Sequence, residues 1–244
     1  MLVAVISDIH SNVAALRAVL EHIDSLDPAP EQIWCLGDIV GYGADPDACT
    51  ALTAERADVC LAGNHDLVVS GAIDIEYFAH GAREAALWTI DAIDERTRLF
   101  IEPLKPSGQA QGVGLYHASP RDPVWEYVLS IDQARACLAL QDDRVCLIGH
   151  SHVACYFQRH ELEVRGETAP AGTSLELGEG EWMINPGSVG QPRDGDPRAA
   201  YLLLDTARWT ASFQRVEYPI SEAADAIVAA GLPEELAQRL RVGH

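Results

Sequence analysis

The stretch RVCLIGHSHVA, residues 144–154, joins an apolar run to a glycine and then to two histidines separated by one residue. A short run without polar residues is typical of a strand that is buried on both faces of a sheet. IWCLGDIVGYG (33–43) and DVCLAGNHD (58–66) have the same form. Each of the three stretches therefore predicts a buried strand that ends on side chains able to bind a metal ion or transfer a proton.

The residues before and between these runs predict a parallel sheet. LVAVIS (2–7) is a further apolar strand, and the segment 11–26 has apolar residues three and four apart, with Ser11 or Asn12 as the helix cap. The next strand begins near residue 32. Strand, helix and strand in this order predict a βαβ unit.

The second half of the chain predicts mainly strands. From residue 153 onwards, short apolar segments alternate with Gly, Pro and Asp turns, and helices are predicted near 131–140, 221–230 and 233–241. No repeat or linker divides the sequence. We therefore expect one α/β domain over residues 1–244, with two packed mixed β-sheets flanked by helices in an αββα sandwich.

Charge and composition exclude some partners. The 244 residues include 37 acidic and 17 basic side chains, a net charge of −20, which argues against binding long nucleic acid or an anionic membrane surface. No apolar stretch is long enough to predict a membrane span. The six cysteines form no CxxC pair and are expected to be reduced. With no export signal at the N-terminus, these features predict a cytoplasmic protein.

Nine polar side chains follow the predicted strands, where sites form in α/β sheets. They are Asp8, His10, Asp38, Asn64, His65, Asp66, His117, His150 and His152. Carboxylates, imidazoles and one amide, without thiolates, suit Mn²⁺, with Fe or Zn²⁺ as alternatives. Seven candidate ligands are too many for one ion, so two ions sharing a carboxylate are expected. Each motif alone is more typical of an ordinary loop, and only their combination predicts a metal site.

The order DIH, GDIVGYG, GNHD, YHAS and GHSH resembles the calcineurin-like metallophosphoesterases, especially their small bacterial and archaeal phosphodiesterase branch. NPGSVGQPR (185–193) is also similar to a late segment of that branch. The resemblance implies one metal ion on Asp8, His10, Asp38 and His152, and a second on Asp38, Asn64, His117 and His150. It further implies attack by a metal-bridging hydroxide, with no covalent phosphoenzyme. His65 would protonate the leaving group and Asp66 would orient its imidazole.

Two features set this sequence apart from parts of the superfamily. Protein phosphatases and dinucleoside tetraphosphatases carry an arginine shortly after the G-D motif, whereas here IVGYG follows Asp38. Arg193 is a candidate phosphate ligand, and a solvated loop arginine is the alternative.

The segment 70–100 is expected to be a helical insert. Its aromatic residues Tyr77, Phe78 and Trp88 either pack on the core or serve a substrate-selecting lid.

The sequence leaves three functions to compare. The first is a phosphodiesterase acting on a small phosphate ester or nucleotide, and the second is a phosphomonoesterase with the same metal centre. The third is a non-catalytic scaffold that binds protein partners. Because His65 and all seven candidate ligands are present, the sequence favours an enzyme over the scaffold. The C-terminal helices are expected either to pack on the core or to form a homo-oligomer surface.

Overall fold

Two six-stranded β-sheets carry the fold in this computed structural model, which describes residues 1–244. The strands are β1 (Leu2–Ile6), β2 (Gln32–Cys35), β3 (Val59–Cys60), β4 (Ser107–Ala110), β5 (Val113–Tyr116), β6 (Val145–Leu147), β7 (Cys155–His160), β8 (Glu163–Thr168), β9 (Ser174–Glu176), β10 (Glu181–Asn185), β11 (Ala199–Asp205) and β12 (Thr210–Val216). The helices are α1 (Val13–Asp24), α2 (Pro46–Arg56), α3 (Asn64–Val69), α4 (His80–Ala92), α5 (Glu95–Ile101), α6 (Ile131–Leu138), α7 (Ile220–Ala229) and α8 (Glu234–Val242). A 3-10 turn spans Ile75–Tyr77.

Both sheets are mixed, as predicted. The first has the strand order β3-β2-β1-β11-β12-β9, in which β1 is parallel to β2 and antiparallel to β11. The second has the order β4-β5-β6-β10-β7-β8, in which β5, β6 and β10 are parallel neighbours. The predicted βαβ unit is β1-α1-β2. Parallel strands end at the same edge of their sheet, and this edge holds the polar residues that follow them.

The apolar runs of β1, β2 and β6 are explained by burial on both faces of each strand. The expected buried strand in 58–66 is instead β3, a half-buried strand of two residues at the edge of the first sheet. In β1, Val3 and Val5 face the layer between the two sheets, while Ala4 and Ile6 pack under the helices. Each fully buried side chain of this size contributes about 1.5–3 kcal/mol to stability. Helices cover the outer face of each sheet, with α1, α7 and α8 on the first and α6 on the second. This arrangement confirms the predicted αββα sandwich.

The helix α1 anchors the first sheet. Asn12, rather than Ser11, is its cap, because the Asn12 side-chain oxygen accepts a hydrogen bond from the Ala15 N–H at 3.1 Å. The apolar stripe of α1 is buried against the sheet and against α7. Helices α7 and α8 bury their own apolar faces in the same cluster. Of the two alternatives for these helices, the structure therefore supports packing on the core.

Several elements differ from the sequence expectation. The short strands β4, β8 and β9 were not predicted, and the segment expected as a helical insert holds the 3-10 turn, α4 and the start of α5. All six cysteines are free thiols, and Cys60 alone among them is only half-buried. None of the helices combines the length and the apolar character needed to cross a membrane.

Candidate metal centre

The strand ends of both sheets converge on one buried cluster. Asp8, His10, Asp38 and Asn64 follow β1, β2 and β3, while His117, His150 and His152 follow β5 and β6. Their side chains are 0–4% exposed. The ligand atoms form two overlapping groups, in each of which all atoms lie within 4.8 Å of one another. These groups are Asp8, His10, Asp38 and His152, and Asp38, His117 and His150.

Asp38 joins the two groups. One carboxylate oxygen, Oδ2, lies 3.5 Å from His10 Nε2 on one side and 3.5 Å from His117 Nε2 on the other. Its second oxygen accepts a hydrogen bond from the His65 N–H at 2.8 Å. Asn64 adjoins the second group, with its Oδ1 3.1 Å from His117 Nε2. One oxygen of Asp38 is thus positioned for sharing between two ions.

Backbone carbonyls set the tautomers of three imidazoles. Each of these rings directs Nδ1 at a carbonyl oxygen, which can only accept, so Nδ1 carries the proton and Nε2 keeps a lone pair. The acceptors are Val40 for His10 (3.2 Å), Leu36 for His117 (3.0 Å) and Gln191 for His152 (2.6 Å). His10 Nε2 then faces His152 Nε2 at 3.0 Å, lone pair toward lone pair. A cation bound by both nitrogens would satisfy the two lone pairs, and the donor set fits a divalent metal ion.

Burial also tunes the ionisation of the cluster. Burial, and then the neighbouring Asp66 and Asp8 carboxylates, raise the pKa of Asp38 well above its usual value. Burial also raises the pKa of Asp8, but the neighbouring His152, His117 and Ser7 outweigh burial and hold this pKa below its usual range. Burial first of all lowers the pKa of His10 and His150 well below 6.5. Neutral imidazoles beside buried carboxylates are suitable ligands for a divalent cation.

The loops that carry the ligands have strained backbones. Five of the seven proposed ligands have left-handed φ angles between 49° and 64°, namely Asp8, His10, Asp38, His150 and His152. This conformation costs roughly 1–3 kcal/mol for each residue other than glycine. Close packing adds a second constraint, because a Cβ on Gly63 would lie 2.0 Å from Asp38 Oδ1. Gly63, which ends the apolar run 58–63, is therefore needed for the Asp38 carboxylate to fit.

His65 lies beside the cluster at the start of α3. Its ring centroid is 4.8 Å from that of His10, and its Nδ1 is buried without a hydrogen-bond partner. Gly41, with φ +91°, passes so close that a Cβ there would lie 2.3 Å from this nitrogen. Burial, and then Arg193, lower the pKa of His65 well below 6.5.

The expected contact between Asp66 and His65 is not present. The Asp66 carboxylate accepts hydrogen bonds from the N–H groups of Ile39 (3.0 Å), Val40 (3.1 Å) and Gly63 (2.9 Å). Burial nevertheless raises the pKa of Asp66 to about 6. Consecutive helical residues do not face each other, so Asp66 cannot share the direction of His65. Its role in the structure is to tie the loop after Asp38 to α3.

Arg193 reaches the site from the loop after β10. Its guanidinium lies 5.6 Å from the centre of the Tyr42 ring, its Nη2 donates to Gln191 Oε1 at 2.8 Å, and its Nε has no partner. The Tyr42 ring, 9% exposed, packs between His10 and His65 with centroid distances of 4.7 and 4.4 Å. Sequence reasoning missed Tyr42, although its position within GYG directly after Asp38 is a usable signal.

Further aromatic rings cover the cluster. Phe78 lies 4.5 Å from the His65 ring, and Tyr127 stacks on His150 at 4.2 Å with an interplanar angle of 19°. Trp88 instead packs against the core. Core packing therefore applies to Trp88, whereas Phe78 lies against His65. The contact between Tyr127 and His150 could not be predicted from the sequence, because the loop that carries Tyr127 has no periodic pattern of apolar residues.

Comparisons with known proteins agree with this geometry. The profile of the calcineurin-like phosphoesterase superfamily domain matches residues 1–208. The protein MJ0912 of Methanocaldococcus jannaschii is 38% identical, covering 100% of this chain and 98% of its own. A metallophosphoesterase structure from Sphaerobacter thermophilus has a TM-score of 0.90 at 35% identity, covering 100% of this chain and 99% of its own. The hypothetical protein PH1004 of Pyrococcus horikoshii shares the fold, with a TM-score of 0.80 at 21% identity, covering 100% and 98%. The chain belongs to the calcineurin-like phosphoesterase superfamily.

Proposed function

We propose that this protein is a metal-dependent phosphodiesterase that hydrolyses a small phosphate ester or nucleotide. The family implies a phosphoric ester hydrolase. The observation that carries the proposal is the pair of ligand groups that share Asp38, with His65 and Arg193 beside them. A cytoplasmic location belongs to the proposal as well, and the six free cysteines support it.

Two divalent ions, Mn²⁺ in the first instance and Fe or Zn²⁺ as alternatives, would be held by the seven residues of the cluster. Asp8, His10, Asp38 and His152 would hold one ion, and Asp38, Asn64, His117 and His150 the other. When bound, such ions supply activated water and neutralise charge on the phosphate. Lone pairs that face each other across 3.0 Å, between His10 and His152, support this assignment.

His65 and Arg193 would act on the substrate. His65 is a neutral imidazole in its buried position, and a phosphate anion beside it would raise its pKa by favouring the charged form. It could then donate a proton to the leaving oxygen. The Arg193 guanidinium, with its unpartnered Nε, would hold a non-bridging phosphate oxygen.

A diester is favoured over a monoester by the charge around the cluster. A monoester dianion carries one negative charge more than a diester and needs more cationic groups. Here Arg193 is the cationic neighbour, whereas the other covering side chains, Tyr42, Phe78 and Tyr127, are uncharged aromatic rings. The phosphomonoesterase remains the alternative function.

The test is hydrolysis of bis(4-nitrophenyl) phosphate beside 4-nitrophenyl phosphate, using metal-stripped protein refilled with Mn²⁺, Zn²⁺ or Fe²⁺. We expect faster cleavage of the diester, and most activity with Mn²⁺. Faster cleavage of the monoester would replace the proposal by the phosphomonoesterase. If protein with two bound ions cleaves neither compound nor a panel of cyclic and linear nucleotides, the non-catalytic scaffold becomes the better description.

Arg193→Ala is expected to raise KM for the diester about tenfold with a smaller change in kcat, because a charge-assisted hydrogen bond to phosphate is lost. Steady-state kinetics measure both constants. Arg198→Ala is the matched control, since Arg198 is a partly exposed arginine of the same region that pairs with Asp196. An unchanged KM in Arg193→Ala would return Arg193 to the role of a loop arginine.

A further inference from the structure

The proposed ligands cannot be reached by a substrate without movement of their cover. His65 is 2% exposed, and the seven ligand side chains are 0–4% exposed. Three aromatic rings close the site on the side of His65 and His150, and we call Phe78, Trp125 and Tyr127 the aromatic cover. Phe78 contacts His65, Tyr127 stacks on His150, and Trp125 meets Phe78 edge to face at 5.7 Å and 84°.

The two sides of the cover are held differently. Trp125 lies in the loop after His117, where its own N–H and that of Val124 donate to Asp122 Oδ1 at 3.1 Å. Glu126 braces the same loop, because it accepts a hydrogen bond from Ser119 Oγ at 2.5 Å and pairs with Arg121. These bonds hold the backbone of the loop that carries Trp125.

Phe78 is held by fewer interactions. It follows the 3-10 turn Ile75–Tyr77, in which no residue is buried, and the neighbouring Tyr77 side chain is 73% exposed. Its ring is held by contact with His65 and Trp125. Displacing Phe78 from His65 therefore breaks few interactions and exposes the imidazole.

We infer that Phe78 and Trp125 form the subsite for the leaving group of the substrate, and that this subsite takes a planar aromatic group bonded directly to the leaving oxygen, as in a phenyl ester. The inference rests on the proposed function, in which His65 protonates the leaving oxygen. The group bonded to that oxygen must then lie where the Phe78 ring now meets His65. The ring of Trp125, on the braced loop, borders this space.

The chemistry of the surroundings favours a flat, uncharged group. Glu126, the charged side chain next to Trp125, is already paired with Arg121. What the subsite offers is aromatic surface, and aromatic rings gain affinity from stacked or edge-to-face contacts beyond the area that they bury. A saturated ring of the same size would bury similar area without this gain.

Two phosphonates of matched size test the inference by binding, without turnover. Benzylphosphonate and cyclohexylmethylphosphonate cannot be hydrolysed, because carbon replaces the ester oxygen. We would measure the dissociation constants of both by calorimetry with Mn²⁺-refilled protein, for the unaltered chain and for Trp125→Leu, Trp125→Phe, Phe78→Leu and Phe78→Tyr. We expect the benzyl compound to bind roughly fivefold more tightly to the unaltered chain. Both leucine variants should abolish this preference, and both ring-retaining variants should keep it.

The outcomes distinguish failure of the proposed subsite from failure of the proposed function. Equal affinities in the unaltered chain, or a preference that survives both leucine substitutions, would overturn the aromatic subsite while leaving the metal centre intact. If neither phosphonate binds to protein that holds two metal ions, the aromatic subsite fails, whereas the proposed function is decided by the hydrolysis of the diester.

Discussion

Asp38→Ala is expected to abolish binding of both metal ions and to reduce phosphoesterase activity to the background of the assay. Asp38 is the residue common to the two ligand groups, with one oxygen 3.5 Å from the ligand nitrogens of His10 and His117. Loss of a residue that merely supports a ligand costs about 10–100-fold in metal affinity. Loss of the shared ligand should exceed 100-fold.

Metal content per chain, measured by mass spectrometry of the elements after dialysis, checks this result. Asp45→Ala is the matched control, because Asp45 is a half-buried carboxylate nearby whose side chain makes no capping hydrogen bond. The control should keep two ions. If Asp38→Ala also keeps two ions per chain, Asp38 does not bridge them.

Thermal unfolding gives a second measure of the same substitution. A ligand at 100 times its Kd stabilises the folded state by about 2.7 kcal/mol. For a chain of this size, this corresponds to a rise in Tm of roughly 5–10 °C on adding Mn²⁺ to metal-free protein. We expect the rise in the unaltered chain and in Asp45→Ala but not in Asp38→Ala. Because each protein is compared with itself, a general loss of stability would not imitate the result.

The central strands and the ligand positions were predictable because one physical cause produces both. A strand buried on both faces needs an uninterrupted apolar run, and the polar residue that ends the run lies at the sheet edge where sites form. β6, followed by Gly149, His150 and His152, has this form. The edge strand β4 lacks it: β4 reads SGQA and is largely exposed, so no apolar run marked it.

The side chains around the ligands were harder to predict. The family resemblance implied that Asp66 orients His65, but the helix turns the Asp66 carboxylate toward the backbone of Ile39 and Val40. The aromatic cover is assembled from two loops about 50 residues apart in sequence. Contacts between loops follow from the packed sheets beneath them, and no local pattern encodes them.

His65→Gln is expected to keep both metal ions and to slow cleavage of an ester with a poor leaving group by on the order of 10²-fold or more. His65 is outside both ligand groups, so metal content should not change. Glutamine fills most of the space between Tyr42 and Phe78 without supplying a titrating acid. The substitution therefore tests proton transfer and not the packing of the site.

The leaving group decides between proton donation and a structural role for His65. 4-Nitrophenolate departs without protonation, whereas an alkoxide must receive a proton as its bond to phosphorus breaks. A lost acid should therefore slow an alkyl or nucleoside ester much more than a nitrophenyl ester. His80→Gln, at a largely exposed histidine of α4, should change neither rate. Equal slowing of both esters in His65→Gln would mean that His65 holds the phosphate or the loop in position, and that the proton reaches the leaving oxygen by another route.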